Sequence, residues 1–290
     1  MTAGGAAGPV SAWLPGGRLH LQHGPIDLVI GAEGDRDRAF AAAAARFETI
    51  LAGLVRELPL LRSAVGPRPC GRVAGRMNAA CQPHAADAFV TPMAAVAGAV
   101  ADEVLAAMRA AAPLTRAWVN NGGDIALHLA GGARFTVGIA GLDGAALGQI
   151  AVGPADPVRG IATSGRGGRS LSLGIADSVT VLAATAAAAD VAATLIANAV
   201  DLPGHPSITR QPARDIQPDS DLGPRPVVRH AGPLSAPEVA RALDTGLARA
   251  RDMRQRGLIH AAALCLRGQV RVAGDLAPAL DTDERSHAHA

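Results

Sequence analysis

The sequence predicts an α/β fold in which antiparallel strands are covered by packed helices, and three observations predict it. Strand-like and helix-like periodicities alternate along the chain with no internal repeat. Apolar runs at 116–121, 125–130 and 134–140 are joined by short Gly turns, the pattern of a meander. With 290 residues, the chain is long enough to bury a substantial core as one large domain or as two intimately packed halves.

Each element has a local reason. Strands are expected at about 18–22 and 26–31, after which Asp35 caps a helix running to about Leu61. Its apolar stripe is Phe47, Ile50, Leu51, Leu54, Val55 and Leu58. Pro67 and Pro69 break the chain, and 70–82 then reads as a strand. Thr91-Pro92 supplies an N-cap and a first-turn proline for a helix to about Ala111. After the meander come strands at 148–153 and 178–183 and a helix at 185–199. The Pro-rich stretch from Leu202 to Pro226, carrying Asp215, Asp219 and Asp221, reads as irregular. Ser235-Ala-Pro-Glu238 is a capping box that opens a helix to about Arg256, and strands at 258–266 and 268–273 close the fold. Residues 1–17 read as a flexible N-terminus, 18–275 as a single domain and 276–290 as a disordered tail.

Composition excludes several functions. All 27 basic residues are Arg, so Schiff-base chemistry, pyridoxal phosphate attachment and a P-loop lysine are ruled out. The absence of Tyr removes a tyrosine acid or base. A net charge of +2, with the basic residues dispersed, is no nucleic-acid footprint. Cys70, Cys81 and Cys265 form no Cys-x-x-Cys pair and read as small buried thiols. The Gly/Ala/Pro-rich start lacks the basic and apolar regions of a secretory signal, and Asp190 interrupts the Ala-rich run at 183–193. A cytoplasmic location with no membrane association is the expectation. Aromatics make up only 2% of the chain, so its core has to be built from small side chains.

Three segments carry candidate chemistry. On a helix, Asp190 and Thr194 lie one turn apart and present a carboxylate and a hydroxyl to one point, which suits Mg²⁺ completed by phosphate oxygens. An Asp and a Thr four apart are also common on solvated helix faces, but Asp190 stands among Ala, Val and Leu with no nearby cation. The segment Arg159 to Arg169 combines four Gly with Thr163, Ser164, Gly165, Arg166 and Arg169, which supply N–H groups, hydroxyls and guanidinium forks for a phosphate. As a plain flexible turn it needs no ligand. Asn120, Asn121, Gly122, Gly123 and Asp124 sit between two strands, where they either bind a polar ligand edge or cap their own turn. Asp177, between the loop and the strand that follows it, is a further acid to watch or a turn cap. His23, His84, His128, His205, His230 and His260 have no metal-ligand spacing to one another.

In their order, Asn121-Gly-Gly-Asp-Ile125, Ala162-Thr-Ser-Gly165, Ser178-Val-Thr-Val181 and Ala189-Asp-x-x-Ala-Thr194 resemble the successive signatures of the ApbE superfamily, over roughly residues 24 to 270. Type members of that superfamily transfer FMN from FAD to protein threonines, and this chain is most similar to a shorter, cytoplasmic branch. Thr91 to Asp102 and Asp219 to Gly223 share in the resemblance. It implies mixed or antiparallel sheets with packed helices, as two associated halves around a nucleotide cleft. It further implies Mg²⁺ on Asp190, Thr194 and the Ala94 carbonyl, with FAD or FMN as the flavin ligand and a homodimer as an admissible assembly. The chain departs from the transferases at Ala97, where they carry Lys or Glu, and at Thr91, where they carry Asp. Their His-x-x-Asp-Pro segment, whose His is expected to move the acceptor's proton, is replaced by Arg169-Ser-Leu-Ser-Leu-Gly174. Three readings stay open: an Mg²⁺-dependent enzyme on FAD or a related dinucleotide, a non-catalytic flavin or phosphorylated-ligand binder acting as a carrier or assembly factor, and a small-molecule enzyme using Asp124 as base.

Overall fold

The computed structural model describes residues 8–140, 146–168 and 170–275, with the side chains of 139, 140, 146–148 and 150 outside that description. The expected tail at 276–290 lies outside it too. In chain order the elements are Val10–Leu14 (β1), Arg18–His23 (β2), Ile26–Gly34 (β3), Arg36–Phe47 (α1), Ile50–Arg56 (α2), Leu58–Leu61 (α3), Arg72–Cys81 (α4), Val96–Ala111 (α5), Leu114–Asn121 (β4), Asp124–Leu129 (β5), Phe135–Ala140 (β6), Ala146–Val152 (β7), Gly160–Ser164 (β8), Ser178–Ala183 (β9), Ala186–Ala199 (α6), Ile208–Pro212 (β10), Ala213–Ile216 (α7), Pro226–Ala231 (β11), Ala236–Gln255 (α8), Ala261–Leu266 (β12) and Gln269–Ala273 (β13). Short 3₁₀ turns at Gln82–His84 and Pro92–Ala95 follow α4 and precede α5.

Nine strands form one sheet in the order β1-β2-β3-β4-β5-β8-β9-β12-β13, and every ladder in it is antiparallel. The α/β class with antiparallel sheets and packed helices is as expected. Helix α5 packs on β4 and β5, α6 on β8 and β9, and α8 on β12 and β13, while α1 and α4 back α5. The sheet is therefore two runs, each with its own central helix. They meet at a short seam between β5 and β8, where the paired residues are Ile125 with Ile161 and Ala126 with Gly160.

The helical core is built from small residues at close range. A Cβ on Gly98 of α5 would lie 2.3 Å from the Ala186 carbonyl oxygen of α6, and one on Gly160 of β8 would lie 2.1 Å from the Thr185 carbonyl carbon. Such contacts replace large rings with backbone-to-backbone packing. Buried Glu103 of α5 adds a polar anchor. It accepts Arg46 Nε at 3.0 Å and Arg76 Nε at 2.9 Å and pairs with Arg72 Nε at 3.0 Å, tying α1 and α4 to α5. These partners satisfy a carboxylate that burial would otherwise penalise.

Several expectations are corrected. The stretch at 70–82 is helix α4, not a strand: Val73, Ala74, Met77, Asn78 and Cys81 are its buried face, spaced at the helical period. Glu57 receives the chain at its entrance, accepting Cys70 N–H at 2.7 Å and Gly71 N–H at 2.8 Å. The single helix expected from Asp35 to Leu61 is three. It breaks where the Thr49 hydroxyl turns back to the Arg46 carbonyl at 3.1 Å, and again before Pro59, which lacks an N–H. Asp35 does cap its start, through Arg38 N–H at 3.4 Å.

The meander stops at β5, because β6 pairs with β7 in a separate hairpin while β8 takes the free edge of β5. That hairpin covers the face of the sheet away from α5, where Phe135 and Val137 pack near Leu127, Leu129, Ile161 and Leu182. Gly160 to Ser164, expected to be loop, is strand β8, and the irregular 202–226 stretch contains β10 and α7. Val10–Leu14, inside the segment expected to be flexible, is edge strand β1, held along its length by β2. The capping box of α8 is present, with Ser235 N–H donating to Glu238 at 2.7 Å.

Two stability outcomes follow from this packing. Gly98→Ala is expected to cost about 2–3 kcal/mol by overpacking, whereas Gly75→Ala, with nothing within 4 Å of the new methyl, is expected to gain about 0.5–1 kcal/mol by helix propensity. Urea denaturation of both variants checks this, and equal effects at the two sites would contradict the close-approach argument. Buried His84 gives a pH dependence: burial first, and then Arg249 and Arg256, lower its imidazole to about 4 from the ordinary 6.5. The unfolded chain takes up this proton near pH 6.5 and the native state only near 4, so this contribution is full above pH 6.5 and declines between those values. The urea midpoint should fall more between pH 7.5 and 5 in the wild type than in His84→Gln, and parallel declines would contradict it.

Candidate functional site

Helices α5 and α6 meet at their N-terminal turns, and each caps the other. Asp190, in the second turn of α6, accepts the Gly98 N–H of the first turn of α5 at 3.0 Å, with the Ala97 N–H beside the same carboxylate. Asp102, in the middle of α5, accepts the Ala186 and Ala187 N–H groups at the head of α6 at 3.1 and 3.0 Å. Both carboxylates thus meet otherwise unpaired amides and the positive end of a helix dipole. Each Asp stands four residues after the small residue that makes the contact, Gly98 before Asp102 and Ala186 before Asp190. That repeated spacing is the signal by which Asp102, missed as a site residue, was readable.

The seam between the two runs brings a second carboxylate to Asp190. Asp124 begins β5 opposite Asn121, is 9% exposed and sits with the Thr163 backbone N–H beside it. Burial pushes its carboxyl up to about 7. The Asp190 carboxyl is raised well above the usual range, by burial first and then by the charge of Asp124. The amides of Gly98 and Ala97 oppose that rise only in part. Each carboxylate therefore resists ionisation of the other, and no cationic side chain is bonded to either among the described residues. Asn121 completes this corner, donating from Nδ2 to the Ala97 carbonyl at 3.1 Å.

The expected ligands gather in part. Thr194 lies on the Asp190 face of α6, and its hydroxyl meets Ser164 Oγ at 3.5 Å. The turn Pro92–Ala95, which contains Ala94, packs on α6. Among the described residues, no three His, Cys, Asp or Glu side chains gather as a metal cluster. Hydroxyl and backbone oxygens, rather than further carboxylates, are what this corner offers beside Asp190, a donor set of the hard-cation kind.

Other expected residues serve the fold. Asn120 accepts the Gly123 N–H at 2.8 Å and closes the β4–β5 turn, in which Gly122 and Gly123 hold positive φ values of 65° and 112°. The Thr163 hydroxyl meets Thr180 Oγ1 at 2.9 Å on the sheet face away from α6, so only the backbone of Thr163 reaches Asp124. Arg159 spends its guanidinium on the carbonyls of Pro154, Asp156 and Val158 at the far end of β8. Gly165, at φ 138°, turns the chain tightly against Asp177. Arg166 reaches Asp177 Oδ1 at 3.4 Å, and Asp177 Oδ2 accepts the Arg267 N–H at 2.5 Å, at a turn where Arg267 holds φ 50°. Asp177 is thus a turn cap, the second of the two roles expected for it. Arg169 lies outside the described residues.

The chain is 41% identical over 120 residues to a UPF0280 protein of Methanothermobacter thermautotrophicus, and 42% over 131 residues to UPF0280 protein MK0206 of Methanopyrus kandleri. Those matches cover 40% and 43% of this chain and 45% and 48% of the relatives, so they span less than half of either length. Among solved structures, the apo flavinyl transferase ApbE of Pseudomonas stutzeri aligns with a TM-score of 0.46 at 13% identity, over 91% of this chain and 93% of that one. The flavin transferase ApbE of Vibrio cholerae aligns with a TM-score of 0.45 at 13% identity, over 91% and 96%. The AbpE bacteria family model matches residues 11–272, in keeping with the resemblance that the motifs carry, and the chain belongs to that family.

Proposed function

We propose that the seam site holds Mg²⁺ together with the phosphate oxygens of FAD or a related nucleotide, and that it serves FMN-transferase-like chemistry at the pyrophosphate. The observation that carries this reading is the Asp124–Asp190 pair, two enclosed carboxylates with no cation bonded to either among the described residues. A divalent ion relieves that repulsion, so the residues fit the group. Asp190, Thr194 and the Ala94 carbonyl are the proposed ligands. When bound, the ion would neutralise charge on the phosphate oxygens.

The chain's own groups then have distinct tasks. Gly98 N–H fixes Asp190 Oδ2 at 3.0 Å, which holds in place the carboxylate that would bind the ion. Asn121 holds the head of α5 to the β4–β5 hairpin, so the first turn of the helix and the carboxylates keep one geometry. Asp124, the enclosed carboxylate beside Asp190, is the group placed to accept a proton. Ser164, at the end of β8, borders the same corner through its contact with Thr194 and offers a hydroxyl donor to a phosphate.

A second reading, binding without chemistry, is favoured by one observation. Asp177, the further acid to watch, is committed to the Arg267 backbone and to Arg166. No second proton carrier is in place among the described residues of the loop.

A thermal-shift titration with FAD, FMN and ADP, each with and without Mg²⁺, tests the site. At a hundredfold excess over Kd, binding adds about 2.7 kcal/mol, worth roughly 5 °C in Tm for a chain of this size. The FAD shift should require Mg²⁺ and vanish in Asp190→Asn, which keeps an oxygen to cap α5 but loses the charge. No shift with any nucleotide, or one unchanged in Asp190→Asn, would overturn the site. Asp124→Asn separates the two readings: catalysis predicts that turnover falls about 10²-fold or more with the Tm shift retained, whereas a pure binder shows no turnover in the wild type.

A further inference from the structure

On the sheet face away from α5, the β1–β2 turn, β2, β3, β4 and the start of α1 enclose a recess of about 330 Å³ near Arg18, Arg36, Arg116 and Trp118. Trp118 alternates along β4 with Ala117, Val119 and Asn121, which face α5, so its indole projects to the other side. Three residues of strand separate it from Asn121, about 10 Å along β4 and through the sheet from the carboxylate pair.

The recess is shaped for its polar groups. Gly31 of β3 leaves space that the indole fills, since a Cβ there would stand 2.5 Å from Trp118 Nε1. Gly17, at φ 67° in the β1–β2 turn, lets the Arg36 guanidinium lie on the backbone, and a Cβ there would stand 2.5 Å from Arg36 Nη1. Three guanidinium groups face one carboxylate, Glu33, and that carboxylate is already paired with Arg116 Nη2. The other Arg116 fork nitrogen goes to the Arg134 carbonyl at 3.1 Å. Arg18 uses only Nε, on the Pro15 carbonyl at 2.9 Å. The contact of Arg36 with exposed Asp37 is a long one, at 3.8 Å through Nε. The terminal nitrogens of Arg18 and Arg36 and the indole N–H of Trp118 therefore have no hydrogen-bond partner among the described residues.

We propose that this recess is a second ligand site, independent of the carboxylate seam, that takes a small doubly charged oxyanion of the phosphate class. Two guanidinium groups with free forks present several planar donors, which match a tetrahedral oxyanion better than a halide. The surplus positive charge of the wall supplies the attraction, and the indole N–H adds a donor at its floor.

Trp118 reports on its own site, because the chain has only two Trp. In the full-length Trp13→Phe variant, which changes an exposed residue of edge strand β1, Trp118 is the sole indole. Inorganic phosphate, titrated against sodium chloride at matched ionic strength, should give a saturable change in Trp118 emission and a matching heat in calorimetry, half-complete in the millimolar range or below. Arg18→Gln and Arg36→Gln should each weaken it at least tenfold, while Asp190→Asn should leave it unchanged. Circular dichroism of each variant verifies the fold, and Arg18, exposed at the start of β2, keeps the test open if Arg36→Gln perturbs α1. Absence of saturation by both readouts, an equal effect of chloride, or undiminished binding in both arginine variants would overturn the proposal.

Discussion

The reciprocal capping of α5 and α6 is the constraint on which the rest of the structure depends. Each helix ends its N-terminus on an aspartate of the other, Asp190 for α5 and Asp102 for α6. Four backbone amides that would otherwise be buried without partners are taken up. The arrangement requires the helices to touch at backbone distance, which Gly98 and Ala186 allow. Since α5 rides on β4 and β5 and α6 on β8 and β9, fixing the helices fixes the two runs of the sheet across a seam of two paired residues.

The same constraint explains how a carboxylate pair can exist at that seam. Asp190 is held where α5 needs it, and β5 starts with Asp124 at the same corner because Asn121 ties the hairpin to the head of α5. Burial raises both carboxyls, and the charge of Asp124 raises that of Asp190 further. Capping amides offset part of that cost for Asp190, so one residue serves the packing of the helices and the electrostatics of the site. Its double role is why substitution by Asn is more informative here than substitution by Ala.

A core with few rings distributes its chemistry differently from an aromatic-rich one. Small residues bring backbones together, and the long side chains that remain are arginines used as ties. Glu103 gathers three of them inside the helical layer, while Arg159, Arg166 and Arg267 are spent on loop and turn contacts. Reading guanidinium groups near a Gly-rich segment as a phosphate cradle overcounts for this reason, since such groups also satisfy carbonyls that irregular backbone leaves open.

The sequence by itself determined the element types where the period was long and the caps were explicit. Helices at 185–199 and after Ser235 were legible from their apolar periodicity and the capping box, as were the strands at 178–183 and those expected at 258–266 and 268–273. It also determined that Asp190 and Thr194 share a face, because an i to i+4 relation is local. Helix α4 was legible too, in the helical spacing of Val73, Ala74, Met77 and Cys81, but tertiary structure alone decided that β8 rather than β6 continues the sheet and that Asp124 meets Asp190 across 66 positions of sequence. Those outcomes rest on which backbone can approach which other backbone. That is settled by the absence of a Cβ at Gly98 and Gly160 and by which buried amide finds a carboxylate, and neither quantity is contained in the periodicity of a single segment.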